Sequence, residues 1–237
     1  LEIKILYDNK AVDSDFMTGW GFSCLIDNKV LFDTGGDVGA LQENMQRAKV
    51  DIAGIEAVVL SHEHWDHIGG LRGVLDKSRN LKVYVCPGFS TGLKNKTRSM
   101  GGILIESEAH YKIAENIYTT GEIAGEYKGK YMPEQAVYLR TFKGLTILTG
   151  CAHPGILKVL EKVEEDVPGK LHLVSGGFHL KHHDTKAISF IVDRFRELGV
   201  ERVAPTHCTG TEATEMFHKE YADAFIEVKV GQVIGTN

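Results

Sequence analysis

The run His62-Glu63-His64-Trp65-Asp66-His67 brings three imidazoles and a carboxylate to one short stretch, directly after the apolar Ala57-Val58-Val59-Leu60 and directly before Ile68-Gly69-Gly70-Leu71. Alternate side chains of an extended segment share a face, so His62, His64 and Asp66 point together as the chain leaves a strand, while His67 opens the next helix. Neutral imidazole and carboxylate suit zinc or another first-row divalent ion. Such a density of donors exceeds what one tetrahedral ion takes from a single loop, so two ions side by side are expected.

Three further histidines follow predicted strands. His153 lies just beyond the apolar run 145–150, His179 follows the strand 171–175 by way of Gly176-Gly177-Phe178, and His207 follows Val203-Ala204-Pro205-Thr206. Convergence of His62, His153, His179 and His207 at strand tips is hard to explain by packing alone. Cys151 and Cys208 each neighbour one of these histidines and read as small buried residues beside the site rather than as ligands. His172 and His218 read as structural or surface residues, and His182 and His183 as exposed polar residues ahead of a helix.

The elements that must position these groups follow from periodicity. Residues 1–7 alternate as a first strand, and 21–26 with 29–32 form a hairpin turning at Asp27-Asn28. Helical spacing covers 38–50, residues 55–60 form the strand that delivers the histidine loop, and a helix runs from about Asp66 through Leu75. The strand 81–85 then closes a right-handed βαβ unit. Residues 87–135 are less regular and read as an insertion roofing the site, with short strands at 103–105 and 117–119. Its basic positions Lys94, Lys96 and Arg98, together with His110, Tyr127 and Tyr131, are weaker candidates for substrate contact. From Ala136 the opening theme repeats as a hairpin, 137–142 and 145–150, and a helix, 156–163. A strand at 171–175, a helix at 185–198 and a closing strand at 225–230 complete the reading. The expected fold is α/β, one domain over 1–237 built of two similar halves.

A chain of 237 residues with 43% hydrophobic and 25% charged residues has the profile of a soluble globular protein. Its net charge of -5 argues against general nucleic-acid binding, and no apolar run reaches membrane-span length. The start is strand-like with no signal-peptide pattern, and a few residues are expected ahead of Leu1. The four cysteines are scattered without a C-x-x-C pair, which fits a reduced cytoplasmic setting. Nothing in the sequence indicates an oligomeric state.

The pattern H-x-H-x-D-H after an apolar strand resembles the signature of the metallo-β-lactamase superfamily. The resemblance extends in motif order from Asp33 through His207 and implies a four-layer αββα sandwich. It further implies His62, His64 and His153 on a first metal ion and Asp66, His67 and His207 on a second. Asp33, in Asp33-Thr34-Gly35-Gly36, would orient the metal loop without being a ligand. One departure stands out: where the family usually carries an Asp bridging both ions, this chain has Gly176-Gly177 and, as the nearest polar side chain, His179. Fewer ligand carboxylates leave the site positively charged and suited to a small anionic substrate. Zinc is the expected metal, with manganese or iron as alternatives.

The function expected from these residues is hydrolysis of an anionic phosphoester by metal-activated water, with Asp66 orienting that water and His179 as proton donor, ligand or substrate contact. The segments Gly150-Cys151-Ala152-His153-Pro154-Gly155 and Gly176-Gly177-Phe178-His179-Leu180 resemble the dihydropterin-ribofuranosylaminobenzene-phosphate synthase group and its bacterial relatives, so a condensing enzyme of that kind is an alternative. An iron-dependent oxygenase of the same fold is another, since three histidines also serve iron. Flavodiiron proteins place a Glu where this chain has His64, and no residues are left for their flavodoxin domain. A closed structural zinc site disagrees with the open coordination expected here. A nuclease disagrees with the acidic balance.

Overall fold

Strands whose side chains alternate between two apolar environments set the layering. In the strand Ala57–Val59, Ala57 and Val59 face a core shared by two sheets, whereas Val58 faces helices on the other side. The same alternation separates Leu148 from Ile147 and Leu173 from Val174. Sheets buried on both faces require helices outside them. The result, in a computed structural model that describes residues 1–78 and 80–236, is an αββα sandwich.

The first sheet runs in the order Val233–Gly235, Glu2–Tyr7, Ser23–Ile26, Val30–Phe32, Ala57–Val59, Lys82–Val85, Ile103–Glu106. The second runs Arg202–Thr206, Leu171–Gly177, Gly144–Thr149, Val137–Thr141, Ile117–Thr119, Tyr111–Ala114. Helices Val38–Arg47, Leu71–Leu75 and Thr91–Ser99 cover the first sheet, and Ile156–Asp166, Thr185–Glu197 and Thr211–Tyr221 cover the second.

Each half opens with a hairpin and continues with parallel strands. The first hairpin turns through Asp27 and Asn28, both at positive φ (50° and 56°), the geometry that matches the twist of the flanking strands. Parallel register then levels the strand ends. Phe32 pairs with Val59 in the first half; Thr149 pairs with Gly176, and Gly177 with Thr206, in the second. Residues just past these ends form a rim at the carboxyl edges of both sheets, where open α/β sheets bind ligands.

Three expected elements differ. The helix after the histidine loop is two short helices, Trp65–Ile68 and Leu71–Leu75, because the turn after Asp33 passes against the break. A Cβ on Gly69 would lie 2.3 Å from the Gly36 carbonyl oxygen, and one on Gly70 2.3 Å from that of Thr34. Much of 87–135 is framework: Ile103–Glu106 ends the first sheet, Tyr111–Ala114 and Ile117–Thr119 end the second, and Thr91–Ser99 is a helix capped by the Ser90 hydroxyl. The stretch 225–230 makes only isolated bridges, Phe225 to Val203 and Val230 to Ala11; the closing strand is Val233–Gly235, antiparallel to Glu2–Tyr7. Among the described residues no helix is long and apolar enough to cross a membrane.

Candidate metal centre

His62, His64 and His153 meet through ring nitrogens. His62 Nε2 lies 3.0 Å from His64 Nδ1, and His153 Nε2 lies 3.2 Å from that same atom. One ring nitrogen carries one lone pair or one proton, so His64 Nδ1 cannot satisfy two such neighbours by hydrogen bonding. A tetrahedral ion with bonds of about 2.0–2.1 Å spaces its donors about 3.3 Å apart, close to the separations seen. Burial, reinforced by the surrounding imidazoles, holds His62 well below the ordinary histidine range. Burial, with His179 and His64 facing it, brings His153 down to about 3, and burial also lowers His64. All three are therefore neutral, the state that donates to a metal.

Asp66, His67 and His207 form an adjoining group. Asp66 Oδ2 lies 3.3 Å from His207 Nε2 and 3.6 Å from His67 Nε2, and the two Nε2 atoms are 3.2 Å apart. Burial would raise Asp66, but its hydrogen bond to His207 and the charge of His67 hold it below the usual carboxylate value. Burial opposes charge on His67 as well, yet the Asp33 carboxylate outweighs it and raises that imidazole to about 9.

Asp33 explains how the two groups are oriented. Fully buried at the end of Val30–Phe32, it accepts from His67 Nδ1 at 2.7 Å, from the Ser61 amide at 2.7 Å and from the Ser61 hydroxyl at 2.7 Å. Ser61 Oγ in turn contacts His62 Nδ1 at 2.9 Å. With both Nδ1 atoms engaged, His62 and His67 present Nε2 inward, as metal-ligating histidines do. The orienting role expected of Asp33 therefore matches its contacts.

One contributor was not evident from sequence. Glu134, 2% exposed, accepts from the amides of Cys151, Ala152 and His153, each at 2.8 Å, and so fixes the loop that carries His153. No spacing signals this, since Glu134 lies in the irregular stretch before Val137–Thr141. Cys151, read as a small neighbour, has its sulfur 3.3 Å from His67 Nε2. His179 is half-buried with its ring 4.4 Å from that of His153. Tyr127, on the hairpin Glu126–Tyr127 and Lys130–Tyr131, sets its ring 4.8 Å from His64, 5.1 Å from His153 and 5.8 Å from His179.

Other candidates lie apart. Lys94 and Arg98 pair with Glu106, and Lys96 is exposed on the same helix. His110 sits near Asp166, Tyr131 bonds to Glu122, and His182 and His183 are exposed. His172 pairs with Glu201. Glu63 turns away to accept from the Ser90 amide.

Fold and site together define the class. Residues 24–93 match the metallo-β-lactamase superfamily model, and the chain belongs to this superfamily. It is 29% identical over 274 residues to the 7,8-dihydropterin-6-methyl-4-(β-D-ribofuranosyl)-aminobenzene-5′-phosphate synthase of Methanocaldococcus jannaschii, covering 96% of this chain and 93% of that protein. It is 31% identical over 268 residues to an uncharacterized protein of the same organism, covering 98% and 99%. A solved metal-dependent hydrolase of the β-lactamase superfamily superposes with a TM-score of 0.84 at 28% identity, covering 99% and 98%. This fold implies divalent-metal binding, and both groups of donors have the chemistry for it.

Proposed function

We propose that the protein is a metal-dependent hydrolase acting on a small anionic substrate, a phosphoester by preference, with His62, His64 and His153 holding one divalent ion and Asp66, His67 and His207 a second. The observation that carries this reading is the convergence of His62 Nε2, His153 Nε2 and His64 Nδ1, which hydrogen bonding cannot satisfy. When bound, the ions, zinc by preference, supply a lowered pKa for water and polarisation of the attacked oxygen. Asp66, aimed between His67 and His207, orients the attacking water. His179, beside His153 under Tyr127, donates toward oxygen that gains charge.

Cations near aromatic rings support an anionic substrate. Lys128 Nζ lies 5.0 Å from the Tyr127 ring centroid, and Lys181 Nζ lies 4.9 Å from that of Trp20, whose ring sits 4.6 Å from His207. A cavity of about 630 Å³ adjoins His207, with Trp20 and Lys181 in its lining together with Asp8, Glu215 and Glu227, the last paired with Lys10. A second reading, a condensing enzyme of the dihydropterin-phosphate synthase kind, draws on the likeness to the archaeal synthase along nearly the whole chain. A reduced, cytoplasmic setting goes with either reading, given four free cysteines.

Metal content by mass spectrometry, paired with turnover of phosphodiester, phosphomonoester and lactone substrates, tests the proposal. About two equivalents of zinc or manganese with ester turnover that Asp66→Ala abolishes is the expected result. Metal-loaded protein that hydrolyses none of them would overturn the hydrolase in favour of the synthase-type reaction.

A further inference from the structure

The strand Leu171–Gly177, which ends beside the two groups of donors, brings no carboxylate to them. Leu171–Gly177 ends in two glycines there, and Gly177 has no room for a side chain. A Cβ at that position would lie 2.3 Å from the Gly150 carbonyl oxygen and 2.6 Å from Cys208 Sγ. The side chain that enters from the adjacent strand end is Cys151, whose sulfur is 3.3 Å from His67 Nε2.

Cys151 Sγ belongs with donors of both groups. It lies within 4.8 Å of ligand atoms of His62 and His67 taken together, of His153 and His179, and of His207 and Cys208. The backbone beneath it is held by Glu134 through the Cys151 amide, so its position is set by the fold. His207, grouped with Cys151 and Cys208, is 5% exposed, and its Nδ1 is buried without a hydrogen-bond partner. Cys208, whose sulfur is directed at the Cys151 carbonyl oxygen at 3.7 Å, shares one such group, with Cys151 and His207, whereas Cys151 takes part in three. Cys24 lies between the sheets and Cys86 on the outer face of the first sheet, its sulfur 3.9 Å from the Ser61 carbonyl oxygen, and neither belongs to one of these donor groups.

We propose that Cys151 is itself a metal ligand, its sulfur supplying the second anionic donor of the centre from a position shared by both groups. This rests on the metal-centre reading above. Binding expels the thiol proton to solvent, and the resulting thiolate offsets part of the charge that one Asp leaves uncompensated. A soft sulfur donor also biases the centre toward zinc-like ions and away from magnesium or manganese.

Cobalt(II) substitution reads sulfur ligation directly. Wild-type protein loaded with cobalt is expected to show a near-ultraviolet sulfur-to-cobalt charge-transfer band. Cys151→Ser should lose the band while still binding cobalt through its histidines, and Cys208→Ser should keep it. Bound cobalt with visible ligand-field absorption but no charge-transfer band in the wild type would overturn the proposal and leave the histidine centre standing. A band lost in Cys208→Ser but kept in Cys151→Ser would also overturn it. No cobalt bound at all would remove both readings. Should Cys151→Ser fail to fold, the wild-type spectrum read beside that of Cys208→Ser still decides, since a band kept without Cys208 supports Cys151 and a band lost with Cys208 overturns the proposal.

Discussion

Asp33 and Ser61 decide which nitrogen His62 and His67 present, so their removal acts through orientation and not through a lost ligand. Asp33→Asn exchanges one acceptor oxygen for a donor that faces His67 Nδ1 or the Ser61 hydroxyl. Metal affinity is expected to fall about 10- to 100-fold with the fold retained. Competition against a chelator measures it, and an unchanged affinity would remove Asp33 from its orienting role. Asp8 is a different kind of buried carboxylate. Burial raises it from 3.8 to about 6, against the Thr206 and Asn9 hydrogen bonds that lower it. An acid raised in this way stabilises the folded state while protonated. That stability is complete below about pH 4 and is lost as pH rises through about 6, on the order of 3 kcal/mol in all. Asp8→Asn should flatten the stability profile across that window, as read by urea denaturation at several pH values. An identical pH dependence in both proteins would exclude Asp8 as its source.

Elements, more than single residues, mark where sequence reasoning held and where it ran short. The hairpin at Asp27-Asn28 and the strand before His62 were legible because alternation and turn chemistry are local. The divided helix after the histidine loop was not, because what divides it is the 34–36 turn, distant in sequence and close in space. The same applies to Glu134: a buried carboxylate feeding three amides looks in sequence like any solvated Glu. The candidate donors could be picked out from their types and their places at strand ends, which are local, whereas the grouping of Cys151 with donors of both sets depends on contacts distant in sequence. Gly69→Ala tests the close packing at the helix break. With a Cβ only 2.3 Å from the Gly36 carbonyl oxygen, the substitution is expected to cost about 1–3 kcal/mol. Loss of activity should follow from displacement of the 62–67 loop. Tyr127→Ala should instead leave stability nearly unchanged and alter KM more than metal content, because Tyr127 is half-buried on a hairpin over His64 and His153. Metal loss in that variant would move Tyr127 from substrate contact to scaffold.

At the scale of the whole molecule, the centre is a joint between halves. His62, His64, Asp66 and His67 come from the first half, and His153 and His207 from the second, with protein contacts bridging the same seam. The Gln135 amide donates to the Leu60 and Tyr84 carbonyl oxygens at the ends of two first-sheet strands, while its own oxygen accepts from Thr119 of the second sheet. Glu134, one residue earlier, holds the loop bearing His153. An ion bound across the seam stabilises only the assembled state, so metal binding is linked to folding. At free metal about 100 times the dissociation constant the gain is about 2.7 kcal/mol per site. For a chain of this length each kcal/mol moves Tm by about 2–4 °C. Chelation should therefore lower Tm by roughly 5–11 °C for one site, and the drop should reverse on adding zinc. His153→Ala, which takes a second-half donor from the first group, should reduce that metal-dependent shift more than it reduces the stability of the metal-free protein. Scanning calorimetry of both proteins with and without chelator separates the two effects. Equal Tm values for metal-loaded and stripped wild-type protein would mean that no ion ties the halves together.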